Sequence, residues 1–487
     1  MEKTLKDKTA KGFFWAALNN GAMQVLNAVF GVILARKLGQ DDYGLIGMLM
    51  IFTLIANSLQ DSGFVTALTN KRDATHSDYN SVFWFNIGVS LTIYVLFCFC
   101  APLIARFYNE PLLTDLSRYY FFGFFIASFS IVPRAILFRK IKQKELAFMG
   151  LASLLLSGAV GITMVYCDMA YWGLATQTIV FNLSVSVLSW WLSGWKPSFT
   201  VSFMPIREMF GFSSKMLITN IFNQINNNLF ALVLGKLYTK TEVGVYNQAN
   251  KWNLMGASTI IGMVQGVAQP TFVEVGDDKE RLRGAFSKML RFTCFVSFPV
   301  MFGLSLVAPE FIVILIQEKW LSSAYLMQWL CIGGAFLPIA TLYFNMIISQ
   351  GKSNVYMWNI IAQGCTILAA ILVVHLLGGG TTEMVWAYVG IVILWIAVWH
   401  YFVWREIRFS PLQALKDILP FMLIALASMV LTFLLTADIT NLYLRLATRI
   451  VIASVIYFST LWLLGANILK ECLGYLLKGG KKKNART

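Results

Sequence analysis

Fourteen apolar runs, each close to the roughly 20 residues a helix needs to cross a bilayer, follow one another with short connectors between them. They lie near 12–35, 43–68, 80–104, 118–138, 146–167, 171–193, 209–234, 244–272, 289–316, 324–349, 354–376, 384–404, 416–436 and 443–468. Such a pattern leaves no connector large enough for a separate soluble domain. Only 13% of the residues are charged and 57% are hydrophobic, so the chain cannot clothe a water-facing surface. The expected class is an all-α membrane protein with 14 transmembrane helices.

The formal charge of +15 would suit a nucleic-acid binder if it were gathered on one face. It is instead spread over the connectors. Arg139, Lys140, Lys142 and Lys144 share one of them, and Lys481, Lys482 and Lys483 crowd the C-terminal segment. With the N-terminus inside, most of the Lys and Arg fall on the cytoplasmic side, as the positive-inside rule requires. N- and C-termini are therefore expected in the cytoplasm, and no nucleic acid is expected as partner. Lys3, Lys6, Lys8 and Lys11 precede a first run too long for a signal-peptide core, so no cleavable leader is expected.

The seven cysteines form no CxxC and no metal-ligand spacing, and His76, His375 and His400 are far apart. Neither a metal, nor a cofactor, nor a catalytic constellation is expected. No GxxxxGK[ST] sequence is present, which argues against direct ATP hydrolysis.

A shift of the chain by 200 residues matches Asn20 with Asn220, Gln24 with Gln224, Asn27 with Asn227 and Gly44 with Gly244. Six helices separate the copies, so both start on the same side, which predicts a parallel repeat. Residues 1–200 and 201–410 would be two six-helix lobes. Residues 411–470 would add two helices, and 471–487 a basic cytoplasmic tail. Asn20, Gln24 and Asn27 share one helix face; Asn220, Asn223, Gln224 and Asn227 mark the corresponding stretch. Amides in hydrocarbon need a partner or water. Interhelical hydrogen bonding is one reading of each; for the two matched stripes a wet cavity between the lobes is preferred. Uncharged donors and acceptors in that number suit a sugar.

Several stretches carry a family resemblance. "LVLGKLYTKTEVGVYNQANKW" at Leu232–Trp252 and its first-half counterpart "LARKLGQDDYGLIGMLMIF" are similar to signatures of bacterial polysaccharide exporters. "DSGFVTALTNKRD", "AQPTFVEVGDDKERLR" and "VAPEFIVILIQEKW" follow in the family's order. Together they resemble the Wzx-like lipopolysaccharide and exopolysaccharide flippases of the multidrug/oligosaccharidyl-lipid/polysaccharide (MOP) exporter superfamily. The resemblance implies alternating access between two lobes. It also implies an undecaprenyl-pyrophosphate-linked oligosaccharide as substrate, the bacterial inner membrane as location, and polymerase and glycosyltransferases as partner proteins. The chain departs from the pattern at Asn227, where related sequences often carry an acid.

Charges within the spans complete the candidate site. Lys251, about two turns into its helix, is expected at phosphate, with snorkelling as the alternative. Arg134 and Lys215 are expected either at the diphosphate or at anionic lipid. Asp61, near a helix C-terminus, is the candidate for ion coupling, though a solvated helix end explains it too. Pro270, Pro299 and Pro338 are expected to kink their helices. Asp277–Arg291 reads as a short cytoplasmic amphipathic helix. A cation-coupled multidrug exporter of the same superfamily is the alternative, as is a glycan polymerase or ligase. The first wants more intramembrane acids, the second a large outer loop.

Overall fold

The computed structural model describes residues 21–61, 75–140, 142–198, 221, 224–225, 228–276, 278–466 and 468–469. It is all-helical among these. In chain order the helices are α1 (21–37), α2 (Gln40–Asp61), α3 (His76–Tyr108), α4 (Leu113–Arg139), α5 (Gln143–Tyr166) and α6 (Ala170–Ser193). Next come α7 (Asn228–Leu237), α8 (Lys240–Val275), α9 (Lys279–Ile316), α10 (Leu321–Gly334) and α11 (Leu337–Ser349). The series ends with α12 (Ser353–Leu376), α13 (Thr381–Ile407), α14 (Pro411–Leu435) and α15 (Leu442–Leu463).

Ten helical segments among the described residues are long and apolar enough to cross a membrane, with α10 and α11 counted together as Glu318–Ser349. The helices α6 and α8 are long, but Ser, Asn and Gln dilute their apolar character. The expected segment 209–234 lies largely outside the described residues. The chain divides into two compact units, Met1–Asn247 and Gln248–Thr487, with the boundary inside α8.

Outward faces are apolar because the solvent is lipid. On α15, Val451, Val455, Phe458 and Trp462 are exposed, while Arg449, Ala453, Tyr457 and Leu461 on the opposite face are buried. Arg449 and Tyr457, the large polar side chains in the middle of this helix, thus point inward, the reverse of a soluble helix. Four of the helix starts, those of α3, α9, α14 and α15, are capped by short polar side chains. Thr75 and Asp78 form a capping box at α3, and Asn441 Oδ1 accepts from the amides of Tyr443 and Leu444, both at 3.1 Å.

Proline in a span removes an amide and frees the carbonyl four residues earlier. Three such carbonyls are taken up by a neighbouring helix. Pro102 frees Cys98 O, which accepts from Arg118 Nε at 3.4 Å. Pro133 frees Phe129 O, which accepts from Trp190 Nε1 at 2.7 Å. Pro299 frees Phe295 O, which accepts from the Tyr457 hydroxyl at 3.0 Å. All three helices continue through their prolines. Pro338 differs: it stands in the first turn of α11, just after the helix breaks at Ala335 and Phe336. Ser297 Oγ donates to the Ala335 carbonyl in that break at 2.7 Å.

The expected short helix at Asp277–Arg291 is instead the start of α9, which runs unbroken from Lys279 into the membrane. Leu282, Phe286 and Leu290 form its buried face. That face packs within the second unit, so nothing ends the helix before the apolar part begins.

Candidate functional site

The first unit brings the starts of α2 and α8 into close contact. A Cβ placed on Gly44 would overlap the Lys240 carbonyl, and one placed on Gly244 would overlap the Gln40 carbonyl. The exchange is reciprocal and keeps the 200-residue register. Thr241 Oγ1 donates to Asp41 Oδ1 at 2.6 Å across the same crossing. Beside it, Lys240 Nζ meets Glu110 Oε2 at 3.3 Å, and Lys236 Nζ donates to the Phe107 carbonyl at 2.7 Å, close to the C-terminal end of α3. Only glycine permits backbones this near.

Of the expected amide stripe on α1, Gln24 is half-buried and engaged with neighbouring groups, and Asn27 is exposed. Gln224 is half-buried, and its carbonyl accepts from Asn228 Nδ2 at 3.0 Å. Asn20, Asn220, Asn223, Asn227 and Lys215 lie outside the described residues. So does the side chain of Asp61, the last residue of α2. Arg134 is exposed on α4 and engaged with a neighbour.

In the second unit, Lys251 is half-buried on α8, its ammonium 5.8 Å from the Trp252 ring centroid. Around it the helix carries amides that the sequence reading passed over. Gln248 is 1% exposed and Asn253 4% exposed. Asn253 Nδ2 donates to Asn250 Oδ1 at 3.3 Å, while Asn253 Oδ1 and Gln248 Nε2 have no partner among the described residues. Asn253 also packs against Gly334, at the break between α10 and α11. The signal was the density of polar residues in "YNQANKWN", too high for a helix meant only for lipid.

Further along α8, a groove of about 520 Å³ runs between α8, α9 and α11. Its walls are almost wholly apolar, from Met263, Val267, Phe292, Val296 and Leu342, with Lys288 the one charged side chain at its edge among the described residues. Two further acids, Glu310 and Asp417, are buried in this unit. Glu310 is paired with Arg445 and Arg449; Asp417 accepts from Ser287 Oγ and lies 3.6 Å from Arg291. No group of three or more His, Cys, Asp or Glu able to hold a metal occurs among the described residues. The chemistry on offer is amide hydrogen bonding, an ammonium cation and an apolar groove.

These features define a multi-pass membrane protein with the fold of the MOP exporters. The structure of the lipid II flippase MurJ, inward closed conformation, superposes with a TM-score of 0.75 at 14% identity, over 93% of this chain and 99% of that one. The model of the polysaccharide biosynthesis protein family matches residues 33–325, and the chain belongs to that family, among the Wzx-like members of the superfamily. The lipopolysaccharide biosynthesis protein WzxC of Escherichia coli (strain K12) is 24% identical over 359 residues, 72% of each chain. The succinoglycan biosynthesis transport protein ExoT of Rhizobium meliloti is 22% identical over 97% of both chains.

Proposed function

We propose that this protein is a flippase. It would carry an undecaprenyl-pyrophosphate-linked oligosaccharide, an O-antigen, lipopolysaccharide or exopolysaccharide repeat unit, across the bacterial inner membrane by alternating access. The observation that carries this reading is Lys251, a cation within a helix whose buried faces bear amides. A basic group for phosphate beside uncharged hydrogen-bonding groups for sugar is the pairing such a head group needs. The apolar groove along the same helix supports a lane for the lipid chain. The names of the relatives, a biosynthesis protein and a transport protein for surface polysaccharides, agree with it.

In this proposal the chain has fourteen spans with both termini cytoplasmic. Residues 1–200 and 201–410 act as two lobes, and 411–470 pack as an addition. The reciprocal Gly44–Gly244 crossing supports the repeat on which that layout rests. The amides at Asn20, Gln24, Asn27, Asn220, Asn223, Gln224 and Asn227 would line the passage for sugar. Arg134 and Lys215 would meet the diphosphate, and Asp61 would take part in ion coupling. The chain itself makes and breaks no covalent bond.

The test is export. With Lys251→Ala and Lys251→Gln at wild-type membrane levels, surface polysaccharide should fall at least about tenfold, the scale of one lost charge-assisted contact. The lipid-linked repeat unit should accumulate on the cytoplasmic face. Undiminished export in both variants would remove Lys251 from the mechanism.

A further inference from the structure

We infer that the second unit holds a phospholipid site, separate from the transported substrate, at the α9–α14–α15 junction. Glu310 Oε1 sits 2.6 Å from Arg445 Nε and 2.8 Å from Arg449 Nη1. Arg449 also donates from Nε to Thr436 Oγ1 and from Nη1 to the Leu306 carbonyl, both at 3.2 Å. One carboxylate thus faces two guanidinium groups, and the cluster keeps a positive charge. Its remaining acid neighbour in sequence, Asp438, is exposed in the loop between α14 and α15. Glu310, Thr436 and Arg449 are buried, whereas the Arg445 side chain is 28% exposed. The terminal nitrogens of Arg445 donate no hydrogen bond among the described residues.

An apolar groove of about 470 Å³ lies beside this cluster. Two of its lining residues touch Arg449, which shares Glu310 with Arg445: Leu306 through its carbonyl, and Phe433, whose ring centroid lies 5.3 Å from the Arg449 guanidinium carbon. Leu426, Val430 and Phe433 leave the groove open to the surrounding bilayer. Two guanidinium groups sharing one carboxylate, beside a membrane-facing apolar groove, complement an anionic phospholipid. The phosphodiester would take Arg445, and one acyl chain would lie along Leu426 and Val430. In the N-in orientation this is the outer leaflet. Nothing in this inference depends on what the protein transports.

The experiment is native mass spectrometry of the full-length protein, released from detergent after equilibration with phosphatidylglycerol and phosphatidylethanolamine. One phosphatidylglycerol should be retained in preference to the zwitterionic lipid. Arg445→Gln should lower that retention about tenfold by removing the head-group contact. Leu426→Trp, at a lipid-facing position that leaves the core intact, should do the same by filling the groove. Equal retention of the two lipids, or unchanged retention in Leu426→Trp, would overturn the assignment. So would a polyprenyl phosphate, added in competition, displacing phosphatidylglycerol.

Discussion

Glu310 is 1% exposed and Arg449 5% exposed, and the two pair through Glu310 Oε1 where water does not reach. Removing the carboxylate leaves two guanidinium groups facing each other in low dielectric. Glu310→Ala should therefore lower unfolding stability in detergent by about 3–5 kcal/mol. Replacing the whole set with Glu310→Leu, Arg445→Leu and Arg449→Met should be close to neutral, because the desolvation cost disappears with the charges. Thermal unfolding followed by tryptophan fluorescence separates the two outcomes. If the triple variant is as unstable as the single, the cluster does more than hold α15 in place. None of this was legible in the sequence. Glu310 reads as one acid near a span end, and its partners come more than a hundred residues later. Only the i, i+4 spacing of Arg445 and Arg449 on one helix face hints that both answer a single buried group.

Helix α9 shows how an element here is built around its exceptions. Pro299 takes an amide out of the ladder, and Tyr457, buried on α15, supplies a hydroxyl to the orphaned Phe295 carbonyl. Tyr457→Phe should cost about 1–3 kcal/mol, the penalty for an unsatisfied buried carbonyl. In a Pro299→Ala background, where a backbone N–H is restored, the same change should cost much less. A double-mutant cycle on thermal stability measures the difference; additive effects would show that the bond contributes nothing. Helix existence was readable from apolar runs of membrane length. The expected 146–167 and 384–404 are α5 and α13 with a few residues' adjustment at their ends. Helix continuity was not readable. The charged stretch before residue 291 looks like a separate surface helix until Leu282, Phe286 and Leu290 are seen packed as one face. Pro338 and Pro299 look alike in sequence, yet only the first stands at a helix break, beside the paired glycines Gly333 and Gly334.

At the scale of the molecule, the crossing of α2 with α8 holds the closest glycine-to-backbone approaches among the described residues. Gly44→Val or Gly244→Val would drive a branched side chain into a backbone carbonyl, costing about 1–3 kcal/mol or more, and should abolish export while Gly262→Val, in open space on α8, should fold. Surface polysaccharide and protein level measured together check this; full export in either crossing variant would mean the approach is dispensable. The fold class and the family could be read from the sequence because lipid demands long apolar helices and the motifs keep their order. The candidate site could be read only in outline. Lys251 stood out as a charge, but Gln248 and Asn253 gain meaning only when their burial is seen.

That crossing has one more implication. Gln40 opposes Gly244 while Lys240 opposes Gly44, so each partner does to the other what it receives. Two identical chains meeting about a twofold axis make contacts of this kind. A half-length forebear could have self-associated through the same glycine, and joining the genes end to end would have replaced a dimerisation equilibrium with a permanently high effective concentration.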